Sequence, residues 1–372
     1  MTRRRLALAG TAIGFSLALG VAASPFIALC LPHPLRYHVY RKLSFRVIAE
    51  HIFANATTPE EVTQAATNYI NRHLWLFGGS RPYSGKPLDY LIEGVGWCDY
   101  AAKVFCKLLA ARGLHARYAF LKDRDGVSPH TIAEVYVDGK WRAVDPFFNF
   151  RYVTDDGSWL AMEEVSSEQL EAFPAVRLIK TANPGTFNNI AEIARRTLPL
   201  PMPPQRSDDF LQDQNLFDGI AALYFKCFGL RFAYWYQDRF LERELAVIDD
   251  PLERLWYTAR NYHLYRRLHQ AEPLYRQLLA QDVNGRYRDR TTLFLSRLLI
   301  GTKRFEEASA LLEQFVQEKP DIPWGHFHLG LCYESVGESA QAAGQYHEYQ
   351  RLHGRKFAIE AVQHLNRLGT RI

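Results

Sequence analysis

The sequence predicts two folded parts behind an apolar leader: an α+β domain, then an all-α domain of helical repeats. Three observations lead there. Residues 6–31 carry no charge, the stretch from residue 58 to about 180 mixes helical periodicity with β-branched runs, and beyond about 250 small and apolar residues recur every 34 positions. A length of 372 residues suits two domains. With 48% hydrophobic and 23% charged residues the composition is that of a globular protein, which excludes wholesale disorder. The net charge is +5, and Arg3, Arg4 and Arg5 supply three of it. The body is therefore close to neutral and lacks the basic excess of a nucleic-acid binder.

The leader follows Met1-Thr2-Arg3-Arg4-Arg5 and runs from Leu6 to Leu31. It is long enough to cross a bilayer, which takes about 20 residues of helix. The arginines stay cytoplasmic, so the body is expected on the extracytoplasmic side, periplasmic or extracellular. Two readings stay open: a retained single-pass anchor, or a signal removed after Val21-Ala22-Ala23 that leaves a secreted protein. Residues 1–32 are thus the signal or membrane anchor, and residues 33–57 read as a juxtamembrane helix.

The α+β domain is placed at residues 58–197. Thr58-Pro59-Glu60-Glu61 opens its first helix, with Thr58 as N-cap and Glu61 completing a capping box. Leu198-Pro199-Leu200-Pro201-Met202-Pro203-Pro204 cannot continue a helix or a central strand. It reads as a linker, followed by an aromatic helical connector to residue 249. Residues 250–372 form the repeats. Leu329, Gly330, Tyr333, Gly337, Ala342 and Tyr346 stand 34 residues after Leu295, Ser296, Leu299, Lys303, Ala308 and Leu312. A third copy, Trp256, Ala259, Tyr262, Ala271 and Tyr275, is offset by 37, with the extra residues around Asn284-Gly285-Arg286. The spacing resembles the tetratricopeptide repeat, and the resemblance implies a surface that docks a protein partner.

The candidate chemistry lies between residues 94 and 150. Ala101, Val104, Phe105, Leu108 and Leu109 form one helical stripe that ends at Gly113, which puts Cys98 in the first turn. Free N–H groups and the helix dipole favour a thiolate there. The amide of Cys98 is also suited to hold an oxyanion. Cys106 and Cys332 read as small core residues. Five cysteines at irregular spacings suggest neither a disulfide framework nor a metal cluster, and Gly78-Gly79-Ser80 is merely a turn. No metal or cofactor is expected.

A hairpin follows, Thr131–Val137 and Lys140–Val144 around an Asp138-Gly139 turn. That turn pairs residues whose numbers sum to 277, so Asp145 faces Ile132. His130 and Asp145 then share a face as diagonal neighbours, about 7–8 Å apart at Cα. A thiol, an imidazole and an orienting carboxylate make a nucleophile–base–orienter set.

The order Cys98, His130, Asp145 on a helix followed by a hairpin resembles the transglutaminase-like superfamily, a papain-type cysteine protease fold. The matching stretches are Gly96-Trp97-Cys98-Asp99-Tyr100-Ala101, Leu108-Leu109 with Arg112-Gly113, Ala116-Arg117-Tyr118, His130 with Glu134-Val135-Tyr136, and Trp141 through Asp145-Pro146. Thr131-Ile132 departs from the small residue and tryptophan common in the family. The resemblance implies acyl transfer through a thioester, with hydrolysis of an amide or peptide bond in a peptide or protein substrate. The catalytic residues it implies are Cys98, His130 and Asp145. Trp97, Tyr83 and Tyr90 are candidates for a second oxyanion donor. The rival expectation is a catalytically inactive platform that serves as a membrane-associated assembly or adaptor protein.

Overall fold

A computed structural model describes residues 29–74, 86–173, 184–198, 200–207 and 216–352, with residues 27 and 176 and a few positions between 361 and 369. Nearly all of the leader, together with Gly78-Gly79-Ser80 and Tyr83, lies outside the described residues. Among those described, no helix is long and apolar enough to cross a membrane.

The first domain begins with α1 (His33–Ile52), α2 (Pro59–His73), α3 (Pro87–Glu93) and α4 (Cys98–Arg112). Helix α2 starts at the expected capping box: Glu61 N–H donates to Thr58 Oγ1 at 3.2 Å, and Thr58 N–H to the Glu61 carboxylate at 3.1 Å. The strands are β1 (Ala116–Leu121), β2 (His130–Val137), β3 (Lys140–Asp145) and β4 (Phe150–Arg151). Helices α5 (Ser167–Ala172) and α6 (Pro184–Thr197) precede β5 (Gln205–Ser207). One antiparallel sheet results, in the order β4-β3-β2-β1-β5.

The β2–β3 hairpin sets the register. Ala133 pairs with Val144, Glu134 with Ala143 and Val137 with Lys140, the pairing read from the turn. Asp138 and Gly139 have φ of 49° and 78°, both left-handed, as a type I′ turn requires. Beside the hairpin, Glu134 is fully buried and accepts from Arg117 Nε on β1 and Arg206 Nε on β5, each at 2.7 Å. One carboxylate thus ties three strands together.

Two segments carry more of the fold than the sequence reading assigned to them. Residues 33–57 were expected as a juxtamembrane helix, yet α1 is a core element. Val39, Leu43, Val47 and Ile48 are buried in one cluster with Val104, Phe105 and Leu109 of α4. The proline-rich segment is likewise more than a linker. It delivers β5 to the edge of β1, where unpaired backbone groups need a partner. The aromatic connector is α7 (Leu216–Glu244), interrupted at Gly229 (φ 62°, ψ −154°) and packed along α1. Its Phe240 ring stacks on Tyr40 with centroids 3.9 Å apart.

The C-terminal region is helical, with three pairs among the described residues. These are α8 (Pro251–Leu264) with α9 (Leu268–Gln281), α10 (Arg288–Gly301) with α11 (Phe305–Glu318), and α12 (Pro323–Ser335) with α13 (Ser339–Leu352). Each pair turns through one left-handed residue, Arg266, Lys303 and Gly337 in order. Ala259, Ser296 and Gly330 occupy equivalent fully or nearly fully buried positions where the helices close on each other. A Cβ on Gly330 would stand 2.7 Å from the Tyr346 ring, so the approach there demands glycine.

This region is joined tightly to the first domain. Arg260 of α8 is fully buried and donates to the carbonyls of Leu91 (2.6 Å) and Ile92 (2.7 Å), which lie at the α3 C-terminus and lack intrahelical partners. Its guanidinium also lies 3.3 Å from the Phe294 ring centroid. Glu93 accepts from Tyr257 Oη at 2.6 Å and from Arg290 Nη1 at 3.0 Å. Replacing Arg260 by Met strands both carbonyls and should cost about 3 kcal/mol. A lower urea midpoint with unchanged slope checks this, and Arg254→Met, exposed on the same helix, should change little.

Candidate active site

Cys98 is the first residue of α4, and Trp97 is its N-cap. The Trp97 side chain makes no capping hydrogen bond, so the first-turn N–H groups receive none from it. These groups and the helix dipole make the position favourable for an anion. The segment leading to it is confined. Gly94 has φ 71° and meets the Phe294 ring so closely that a Cβ would stand 2.7 Å from it, while a Cβ on Gly96 would stand 3.0 Å from Leu74. The nucleophile candidate is therefore reached along a backbone held on two sides.

His130 opens β2 and Asp145 closes β3. Asp145 follows Val144, the partner of Ala133, so it lies beside Ile132 and two residues from His130 on one face. His130 Nε2 and Asp145 Oδ2 are 2.6 Å apart. The second carboxylate oxygen accepts from the backbone N–H of Phe147 (3.0 Å) and Phe148 (2.9 Å). With Nε2 committed to the acid, Nδ1 is the ring nitrogen left for the sulfur. The Cys98 thiol stands close enough to the His130 side chain and the Thr131 backbone N–H for both to act on its ionisation. Sulfur, ring and acid are thus brought together.

The setting is dry. His130 is 3% and Asp145 1% exposed. Phe147 and Phe148 flank the imidazole, with ring centroids at 6.1 and 5.3 Å. Burial pushes the Cys98 thiol up, but the hydrogen bond and charge of His130 and the Thr131 amide outweigh it and hold the thiol below its ordinary value. For His130 burial acts downward, while Asp145 and then Cys98 act upward and carry it to about 10. Both shifts favour a thiolate beside an imidazolium. The contrast with Cys332 is sharp, since burial, helped by Glu306 and Glu313, pushes that thiol up to about 12. Cys106 is buried in the α4 core.

Of the other candidates, Trp97 is about half exposed, at 52%. Tyr90 is buried and stacks on Tyr100 with centroids 3.8 Å apart. Tyr83 lies outside the described residues. The sequence reading missed the groups that hold the Asp145 loop. Asn71 Nδ2 donates to Pro146 O at 2.8 Å, Asn149 Nδ2 to Asn68 Oδ1 at 3.1 Å, and Gln64 Nε2 to Asn68 Oδ1 at 3.0 Å. Their signal was a polar stripe on α2 at positions 64, 68 and 71, the i, i+4, i+7 spacing of one helix face. Among the described residues no three His, Cys, Asp or Glu side chains are grouped so as to hold a metal ion.

Residues 46–146 match the family model of the transglutaminase-like superfamily, and the chain carries a transglutaminase-like domain there. The match begins inside α1 and ends one residue past Asp145, so it contains Cys98, His130 and Asp145. No curated protein and no solved structure matches the chain.

The electrostatics set a pH profile for alkylation, which follows the thiolate. Because the thiol is held down, Cys98 should react with iodoacetamide on a curve whose midpoint lies below that of a free thiol. His130→Ala removes the counter-charge and leaves only the Thr131 amide against burial, so the midpoint should rise. Peptide mass spectrometry across pH 5–10 separates Cys98 from the exposed Cys227 and from Cys332, which should stay unlabelled at neutral pH in the folded protein.

Proposed function

We propose that the chain is a cysteine acyl-transfer enzyme that hydrolyses an amide or peptide bond through a thioester. The observation that carries this reading is the Cys98–His130–Asp145 set, its base and acid buried and its charge polarised toward thiolate and imidazolium. A transglutaminase-like domain fits such a cysteine acyl-transfer or peptidase-like chemistry.

The Cys98 sulfur attacks the substrate carbonyl carbon, and a C–S bond forms as the carbonyl electrons move to oxygen. First-turn N–H groups of α4, that of Cys98 included, are suited to hold this oxyanion. The C–N bond then breaks, and His130 gives its Nδ1 proton to the departing amine. Water next enters, His130 takes a proton from it, and the hydroxyl attacks the thioester. The C–S bond breaks, the carboxylic acid leaves and the thiolate is restored. Asp145 positions the ring through Nε2 and stabilises its positive form throughout.

Residues 6–31 are proposed to hold the protein at a membrane with the body outside the cytoplasm. That reading rests on an uncharged run directly after three arginines. The three helix pairs are proposed to be tetratricopeptide-like and to dock a protein partner. Supporting this are the 34-residue recurrence and the left-handed turn residue shared by each pair. The first pair, through Arg260, and the second, through Arg290, are already engaged with the first domain, so the docking role is proposed for the faces these contacts leave open.

Hydrolysis is tested with a mixed peptide library in ¹⁸O-labelled water. New carboxyl termini carrying the label should form with the wild type, and hydroxylamine should capture the acyl group as a hydroxamate. Cys98→Ala should lose both signals, and Asp145→Asn should lower turnover by about 10²–10⁴-fold. Label incorporation that survives in Cys98→Ala, or a wild type that acts on none of the peptides and gives no hydroxamate, would refute the enzyme and favour an inactive platform.

A further inference from the structure

A cavity of about 650 Å³ lies between the first domain and the helix pairs. Tyr69, Arg72 and His73 reach it from the end of α2, Arg266 from the α8–α9 turn, Arg297 from α10 and His328 from α12. Its described lining holds three arginines, five histidines and no carboxylate. Glu50 acts on His51, and Glu334 contacts His364. None of Cys98, His130 and Asp145 lines it.

Two polar groups at the wall are unsatisfied. Tyr69 is only 9% exposed, and its hydroxyl has no hydrogen-bond partner. The buried Nδ1 of His73, whose ring lies 4.3 Å from that of Tyr69, has none either. An unsatisfied buried donor is costly, and a ligand oxygen would relieve it. Burial, reinforced by the nearby arginines, holds His73, His263 and His328 well below the usual histidine value. In the absence of a ligand the histidines are therefore neutral, and the fixed charge of the site comes from the guanidinium groups. Among the described residues no grouping fits a metal ion.

We propose that this cavity binds the phosphate group of a small organic phosphate. Guanidinium forks match phosphate oxygens geometrically, and the three terminal oxygens of a phosphate can meet a fork, the Tyr69 hydroxyl and the His73 ring together where a carboxylate offers only two. The volume falls in the range of about 300–1,000 Å³ that takes a whole small molecule. Ile52, Ile300, Phe327 and Leu331 supply apolar wall for its organic body. The site draws on the first domain and all three helix pairs, so a bound phosphate also bridges them.

Calorimetric titration of the full chain with phenyl phosphate, inorganic phosphate and benzoate tests this. Phenyl phosphate should bind, inorganic phosphate more weakly, and benzoate not measurably. Arg297→Gln and Arg266→Asn should each weaken phenyl phosphate by at least about tenfold, and Tyr69→Phe by about fivefold. Asparagine suits the left-handed position of Arg266, and phenylalanine keeps the Tyr69 ring, so both variants should fold. Cys98→Ala should bind as the wild type does, which separates this site from the acyl-transfer reading. The proposal is overturned if phenyl phosphate gives no binding heat, or if benzoate or inorganic phosphate binds as tightly. It is also overturned if the three variants bind unchanged while melting like the wild type.

Discussion

The hydrogen bond between His130 and Asp145 is the interaction on which the site depends, because it places two ionisable groups where water scarcely reaches. An isolated carboxylate in such a place would be driven to its neutral form, and an isolated imidazole would lose its proton. Here the acid is satisfied on both oxygens, by the ring on one side and by the Phe147 and Phe148 amides on the other. The imidazole can therefore stay charged, and a charged imidazole is what holds the Cys98 thiol down. Each group makes the next one possible. Removal of the acid disturbs the base, and removal of the base leaves the thiol with only the Thr131 amide against its burial.

That arrangement is supported both from within the match to the transglutaminase-like family and from outside it. The polar stripe of α2 secures the loop after Asp145 through Pro146 and Asn149. Arg260 and Phe294, from the helical region, fix the end of α3 and the Gly94 turn four residues before Cys98. Glu134 ties β1, β2 and β5 together below the His130 end of the hairpin. The C-terminal helices are thus part of the framework that positions the nucleophile, besides any partner they dock.

The sequence made some of this legible and concealed the rest for physical reasons. The hairpin register could be read because Asp138-Gly139 admits one tight turn, and alternation then assigns every side chain to a face. The α2 cap at Thr58 and the turn positions Lys303 and Gly337 were equally local signals. What escaped depends on distant partners. Gln205–Ser207 is a short polar strand after prolines, and nothing local says that it completes a sheet begun ninety residues earlier. Helix α1 looked like a membrane-proximal segment because its buried face meets α4 and α7, which no window of sequence contains together. The arginine- and histidine-lined cavity draws on residues from 51 to 364, so it exists only in the folded chain.

The central claim is that a charged imidazole stands between Asp145 and the Cys98 thiolate. Nitrogen-15 NMR of histidine-labelled protein tests it most directly, since the ring nitrogens report protonation without any need for a substrate. The account predicts that His130 carries protons on both nitrogens at pH 7–8 and titrates near 10. A neutral His130 ring at pH 7, titrating near the ordinary value of about 6.5, would contradict it.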